Sequence, residues 1–356
     1  MVILMFILGL AFLIIGAEVL VRGASRLAAL FGISPLVIGL TVVAFGTSSP
    51  EFAVTIKAAM TGQASLALGN VIGSNICNVL LILGVAAMIA PLTVAAQLIR
   101  FDVPLMIGLS ALTVFFAWDG SFSRGEGIFF VLGLITYTSF LVVQSRKESA
   151  AVQVEYAEES GAVDSSSFGW LKNLAFVVGG LALLVLGSRW LVSSAVVMAQ
   201  HFKVSEAVIG LTVVAVGTSL PEIVTSVVAS LRGKVDIAVG NVVGSNIFNL
   251  MGVLGLAGII APDGVAISSG ILGFDLPVML LTTFACLPIF FTGSRISRLE
   301  GALFFGYYCA YTLHLILTAA EHELLPGFSM AMLYFALPLT AVTLFTVAAR
   351  EWRKKK

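Results

Sequence analysis

Charge is what this sequence has least of. Of 356 residues only 11% are Asp, Glu, Lys or Arg, and the two signs cancel at nineteen each. The basic residues are scattered among loops, so there is no electropositive stripe of the kind that binds nucleic acid. Cysteine is nearly as scarce. Cys77, Cys286 and Cys309 are odd in number and lie in apolar stretches, which excludes a disulfide framework and reads as three small core residues. His322-Glu323 opens like a zinc-protease motif, but no second His follows at the required spacing. No cofactor motif is present.

What fills the chain instead is apolar: 59% hydrophobic residues and a mean hydropathy of +1.08. That excludes a soluble globule and predicts an all-α polytopic membrane protein with the lipid bilayer as its solvent. Spanning-length runs fall near 2–21, 35–60, 66–90, 103–118, 126–143, 171–191, 204–231, 236–261, 273–292, 300–319 and 328–348, eleven in all. The first is followed by Gly-Ala-Ser, as a signal peptide would be. It has no basic residue ahead of it and is long enough to span, so it reads as a transmembrane helix. Glu18 near its end has Arg22 four residues on as a local partner.

Two of these runs repeat each other. VIGLTVVAFGTSSPE, Val37 to Glu51, recurs as VIGLTVVAVGTSLPE, Val208 to Glu222, with thirteen of fifteen positions identical. At the same offset of 222 − 51 = 171 residues, GNVIGSNICN from Gly69 recurs as GNVVGSNIFN from Gly240. Phe101-Asp102-Val103-Pro104 returns as Phe274-Asp275-Leu276-Pro277, and Ser123-Arg124-Gly125-Glu126-Gly127 as Ser297-Arg298-Leu299-Glu300-Gly301. The duplication covers five helices on each side, and because five is odd the second copy enters the membrane from the opposite face. The expected organisation is a first repeat at 1–143, a cytoplasmic linker at 144–170, an inverted second repeat at 171–319 and an additional helix at 328–348 with a basic tail. With the N-terminus outside, fifteen of the nineteen basic residues fall inside, and the odd eleventh helix brings the C-terminus into the cytoplasm.

Chemistry concentrates where each copy breaks. An ionised side chain near the bilayer centre costs at least ~2.5–3.5 kcal/mol, so Glu51 and Glu222 need a reason to be there. Pro50 and Pro221 deprive the carbonyls of Gly46 and Gly217 of their helical donors. On a helix Thr47, Ser48 and Glu51 would share one face, as would Thr218, Ser219 and Glu222. Ser74 and Asn78, like Ser245 and Asn249, are four apart. Together these form an all-oxygen set, which suits Na+ or Ca2+ better than Zn2+ or copper. Gly73 and Gly244 read as helix-packing residues. Asp102 and Asp275, before Pro, read as N-terminal caps, and Glu126 and Glu300 as first-turn acids. No His or Lys stands within the repeat motifs to activate Ser48 or Ser219, which argues against an intramembrane enzyme.

The paired Gly-Thr-Ser-x-Pro-Glu and Gly-Asn-x-x-Gly-Ser-Asn-Ile-x-Asn strings resemble the two alpha-repeats of the cation/Ca2+ exchanger superfamily, and the compact chain is similar to prokaryotic sodium/calcium exchangers with ten core helices. The resemblance implies that Glu51 and Glu222 are central ligands shared by Ca2+ and Na+. Ser48, Ser219, Thr47, Thr218, Ser74 and Ser245 would then supply flanking oxygens, Asn78 and Asn249 would complete the set, and the carbonyls of Ala44 and Ala215 would serve outer Na+ positions. Some relatives have Asp where this chain has Asn249, so here the site carries two formal charges. The eleventh helix also departs from the ten-helix pattern. The resulting expectation is Ca2+/Na+ exchange by alternating access at a midplane site of a prokaryotic inner membrane. H+- or K+-coupled cation exchange and a cation channel stand as alternatives. Oligomeric state, stoichiometry and direction are not legible in the sequence.

Overall fold

A computed structural model describes residues 1–145, 169–202, 209, 213, 215–262 and 264–355. Its helices, numbered in chain order, are α1 (Val2–Phe31), α2 (Pro35–Thr47), α3 (Ser49–Met60), α4 (Ala64–Ile89), α5 (Leu98–Asp119), α6 (Arg124–Ser145) and α7 (Gly169–His201). There follow α8 (Ala215–Thr218), α9 (Leu220–Leu231), α10 (Val235–Ile260), α11 (Ile271–Phe291), α12 (Arg298–Ala319) and α13 (Leu325–Thr346), the last continuing as helix to Lys355. Among the described residues nine helices are long and apolar enough to cross a bilayer, and the bent pair α2–α3 makes a tenth. The run expected at 204–231 is described mainly through α8 and α9, and the linker expected at 144–170 lies almost wholly outside the described residues.

The first helix outlasts its apolar run. It continues past Val21 to Phe31 and stops where Gly32 turns left-handed (φ 60), donating back to the last carbonyls. Gly9, Gly16 and Gly23 lie along the face of α1 that meets α7. Added Cβ atoms would meet Gly187 and Leu191, then Gly180 and Leu184, then Asn173 and Val177, at 2.8–3.2 Å. Ascending numbers on α1 therefore meet descending numbers on α7. These two helices occupy equivalent places in the repeats, and their antiparallel packing agrees with the expected inversion. Small residues let the two backbones approach where no hydrophobic force separates helix from lipid.

Partners are exchanged between the halves in the same sense elsewhere. Gly84 of α4 packs on Gly301 of α12, and its counterpart Gly255 of α10 packs on Gly127 of α6. Two short strands, β1 (Leu92–Thr93) and β2 (Ser121–Phe122), pair antiparallel with β4 (Arg295–Ile296) and β3 (Val265–Ala266) respectively. Each pairing brings together two loops, 92–93 with 295–296 and 121–122 with 265–266, that the expected topology puts on the same side of the membrane.

Burial ranks the helices. In their most apolar stretches α4 and α10 are 78% and 83% buried, against 22% for α1 and 0% for α13, so α4 and α10 form the centre and α13 an outer wall. Exposed side chains such as Ile7, Phe129, Leu132 and Phe335 cover the perimeter, as a protein solvated by hydrocarbon requires. Cys77 and Cys286 are buried as expected, whereas Cys309 is exposed on α12.

Candidate functional site

Proline decides the local geometry. Pro50 and Pro221 stand in the first turns of α3 and α9, where a missing N–H costs nothing, and the chain bends just before them. The angle between α2 and α3 is 49°. The junction residues are Ser48 (φ −78, ψ 7) and Ser219 (φ −88, ψ 7). The break expected at Gly-Thr-Ser-x-Pro is present, with Thr47 ending one helix, Ser48 the hinge and Glu51 in the first turn of the next, so the three do not share one continuous helix face. A helix N-terminus carries positive partial charge, which helps hold a carboxylate in a nonpolar setting.

Glu51 and Glu222 are each 1% exposed. Ser219 Oγ donates to Glu51 Oε1 at 2.9 Å. Thr218 lies beside Glu51, Thr47 and Ser48 lie beside Glu222, and the two carboxylates are near enough to interact electrostatically. Each acid is thus met by hydroxyls from the other repeat.

Seven buried side-chain oxygens among the described residues make no hydrogen bond: Ser48 Oγ, Glu51 Oε2, Asn78 Oδ1, Glu222 Oε2, Thr225 Oγ1, Ser245 Oγ and Asn249 Oδ1. A buried polar atom left unpaired ordinarily costs ~1–3 kcal/mol, so such a group needs an explanation. Six of the seven belong to residues that the repeat motifs single out. Every one is an oxygen, and no group of three His, Cys, Asp or Glu suited to a metal occurs among the described residues. That donor chemistry fits hard cations arriving without a hydration shell.

The other expected ligands are placed less uniformly. Thr47 Oγ1 gives its proton to Asn241 Oδ1 (3.0 Å) and reaches the Ala44 carbonyl at 3.4 Å, which leaves lone pairs of the hydroxyl for a cation. Ser74 is buried. The Ala44 carbonyl also accepts Ser48 N–H at 3.0 Å, whereas the equivalent Ser219 N–H turns to Val216 at 3.1 Å and not to Ala215. One expectation fails. The Gly217 carbonyl released by Pro221 is claimed by Ser188 Oγ of α7 at 2.7 Å. Asp102 and Asp275 are not caps either. Both have helical backbones with no side-chain cap bond, and they accept from Tyr137 (2.9 Å) and Tyr311 (2.8 Å) one helix away. Glu126 and Glu300 do close their helix starts, each accepting from the backbone N–H of Ser123 or Ser297.

Sequence reasoning missed several participants. Asn70 Nδ2 ties the Glu51 carbonyl (3.2 Å) to Thr55 (2.9 Å), and Asn241 Nδ2 holds Ser226 at 3.0 Å. The motif already contained both asparagines, in its Gly-Asn opening. Single π-helical segments begin at Asn78 and at Asn249, widening α4 and α10 where these side chains project, as π turns commonly do at functional positions.

The chain is similar to known proteins in sequence and in fold. The family model for sodium/calcium exchanger protein matches residues 1–143 and 172–317. A putative antiporter, CaxA, of Alkalimonas amylolytica is 40% identical over 308 residues, covering 85% of this chain and 95% of that protein. The sodium/calcium exchanger MaX1 of Methanosarcina acetivorans is 35% identical over 339 residues, covering 86% and 96%. Among solved structures, the sodium-calcium exchanger NCX_Mj soaked with 10 mM Na+ superposes with a TM-score of 0.75 at 30% identity, over 90% of this chain and 99% of that one.

Proposed function

This chain belongs to the sodium/calcium exchanger protein family, a family of membrane cation transporters and not of enzymes, and on that premise we propose that it exchanges Ca2+ against Na+ by alternating access at the ring of oxygens around Glu51 and Glu222. The observation that carries this reading is the set of buried, unpaired oxygens contributed by both halves. Glu51 and Glu222 act as central ligands. Ser48, Ser219, Thr47, Thr218, Ser74, Ser245, Asn78 and Asn249 flank them, and the carbonyls of Ala44 and Ala215 serve outer Na+ positions. Two carboxylates balance one Ca2+ or partly balance several Na+, whereas an empty site leaves two like charges in a low dielectric. A site that is costly to leave empty favours exchange over leak.

In this reading residues 1–143 and 171–319 are the moving repeats, 144–170 is a cytoplasmic linker and 328–348 an added span. The N-terminus lies outside a prokaryotic inner membrane. An impermeant thiol reagent applied to intact cells should leave a cysteine introduced at Ser165 unlabelled; labelling there reverses the topology. For the transport reading the experiment is Ca2+ uptake into proteoliposomes under imposed Na+, K+ or H+ gradients. Uptake driven by outward Na+ alone is the expected result. Uptake that follows K+ or H+ and ignores Na+ replaces the coupling ion, and uptake with no counter-ion requirement makes the protein a channel.

A further inference from the structure

Asn75 and Asn246, each one turn before Asn78 or Asn249, are fully buried and have no part in the ligand set above. Their partners lie in the opposite repeat. Asn249 Nδ2 donates to Asn75 Oδ1 at 3.1 Å, and Asn78 Nδ2 donates to Asn246 Oδ1 at 2.9 Å. The other ends of the same two carboxamides, Asn78 Oδ1 and Asn249 Oδ1, are the ends left buried and unpaired.

A carboxamide has an acceptor end and a donor end, and a half-turn about its last bond exchanges them. For a cation the difference is between an attractive oxygen and a repulsive NH2. Whatever fixes that half-turn therefore decides whether Asn78 and Asn249 can be ligands at all. Asn75 is itself fixed by groups that can only accept: its Nδ2 donates to the Asn246 carbonyl at 3.3 Å and to Met279 Sδ at 3.9 Å. Its oxygen is thereby left for Asn249. In the other half Asn246 Nδ2 donates to Met106 Sδ at 3.4 Å, which leaves its oxygen for Asn78. Met106 and Met279 stand at equivalent places on α5 and α11, so the same chain of contacts, thioether to asparagine to ligand, is built twice.

We propose that Asn75 and Asn246 are positioning residues that hold the carboxamides of Asn249 and Asn78 with their oxygens toward the transported cation, so that each repeat orients a ligand of the other. The proposal rests on the reading of Asn78 and Asn249 as ligands. It adds a requirement that a ligand list does not contain, namely that the orientation of these amides is imposed from across the pseudo-twofold. Groups that orient a metal ligand typically change affinity ~10- to 100-fold when removed.

The test is a double-mutant cycle on Ca2+ uptake by the full chain in proteoliposomes. Asn75→Leu removes the acceptor and lets Asn249 turn its NH2 inward, so KM for Ca2+ should rise about tenfold or more with kcat less affected. Asn249→Asp sets a carboxylate against Asn75 Oδ1, acceptor against acceptor, and should also raise KM. The pair together should recover affinity relative to Asn75→Leu alone, because a carboxylate has no donor end to misorient and no longer faces the oxygen of Asn75. Asn246→Leu with Asn78→Asp repeats the cycle in the other half. Additive penalties in both cycles overturn the proposal, as does an unchanged KM in Asn75→Leu and Asn246→Leu. An Asn75→Leu protein that fails to assemble and is not restored by Asn249→Asp overturns it too, since a packing role then explains the residue. Asn249→Ala separates this from failure of the ligand reading: if it leaves Ca2+ uptake untouched, Asn249 is no ligand, whereas loss of uptake there with a normal Asn75→Leu removes only the positioning role.

Discussion

The two repeats share their motifs almost letter for letter, yet they have not been given identical surroundings. At the helix break Pro50 and Pro221 free equivalent carbonyls; among the described residues the second is met by a hydroxyl, Ser188, and the matching sequence position in the first half is Ala17. Three residues past the glutamate, the second half has Thr225, buried and unpaired, where the first has Val54. Farther out, Phe101 packs on Phe140, whereas Phe274 stacks on His314 at a ring separation of 3.9 Å. That histidine lies 3.5 Å from Ser329 of α13, a helix with no counterpart in the first half. Symmetric backbones with unequal linings are what a transporter needs if its two end states are to be inequivalent. Perfect symmetry would give the inward-facing and outward-facing states equal energies and equal affinities.

The strongest challenge to the symmetric part of this comparison is removal of one charge. Glu51→Gln and Glu222→Gln should each abolish Ca2+ transport, because a single carboxylate cannot balance a divalent cation away from water. Both proteins should still assemble, since an amide of the same shape is cheaper to bury than a carboxylate. Near-normal Ca2+ uptake in either variant would remove that residue from the centre of the site.

A smaller effect probes the outer pair of acids. Asp102 is 0% exposed and accepts from Tyr137 and Gln97, whereas Asp275 is only partly buried beside Tyr311. Deleting a hydrogen bond to a charged group costs ~1.5–3 kcal/mol, and the cost grows where water cannot substitute. Tyr137→Phe should therefore lower the melting temperature more than Tyr311→Phe. Equal shifts, measured on the detergent-solubilised protein, would mean that the two environments are energetically alike.

How far the sequence could be read depended on whether a feature was local. Hydropathy was enough to predict the helices, and the 171-residue offset an inversion with which the antiparallel packing of α1 and α7 agrees, because apolar length and duplication are written along the chain. Glu51 and Glu222 were equally visible as candidates, since a carboxylate in an apolar run stands out without any partner being known. What the sequence did not disclose were partners: Ser219 for Glu51, Asn246 for Asn78, Ser188 for Gly217, Tyr137 for Asp102. These join residues 29 to 168 positions apart, and no periodicity encodes them. The caps assigned to Asp102 and Asp275 failed for a related reason. Asp before Pro is a local rule for a helix start, and here the helix had already begun as a π-helical segment at Leu98 and at Ile271.

The smallest expected effect isolates a single hydroxyl. Ser188 is buried and its Oγ donates to the Gly217 carbonyl at 2.7 Å, so Ser188→Ala leaves that carbonyl without this donor and makes the second half resemble the first at this point. A buried hydrogen bond of this kind contributes ~0.5–1.5 kcal/mol, and the melting temperature should fall by a few degrees at most. The reciprocal change, Ala17→Ser, offers a hydroxyl to Gly46 and should offset part of that loss in the double variant, if the two breaks are built alike. Neither glycine has room to spare: a Cβ on Gly46 would meet Leu181 at 2.5 Å, and one on Gly217 would meet Val192 at 2.4 Å. Both breaks are thus tightly packed from α7, and the hydroxyl is the difference that remains. If Ser188→Ala changes the Na+ dependence of Ca2+ uptake as well as stability, the capped carbonyl also shapes how the second half binds ions. A change in stability alone makes it a structural cap, and no change in either would show that the break is held by packing, with the proline-freed carbonyl of Gly217 satisfied without Ser188.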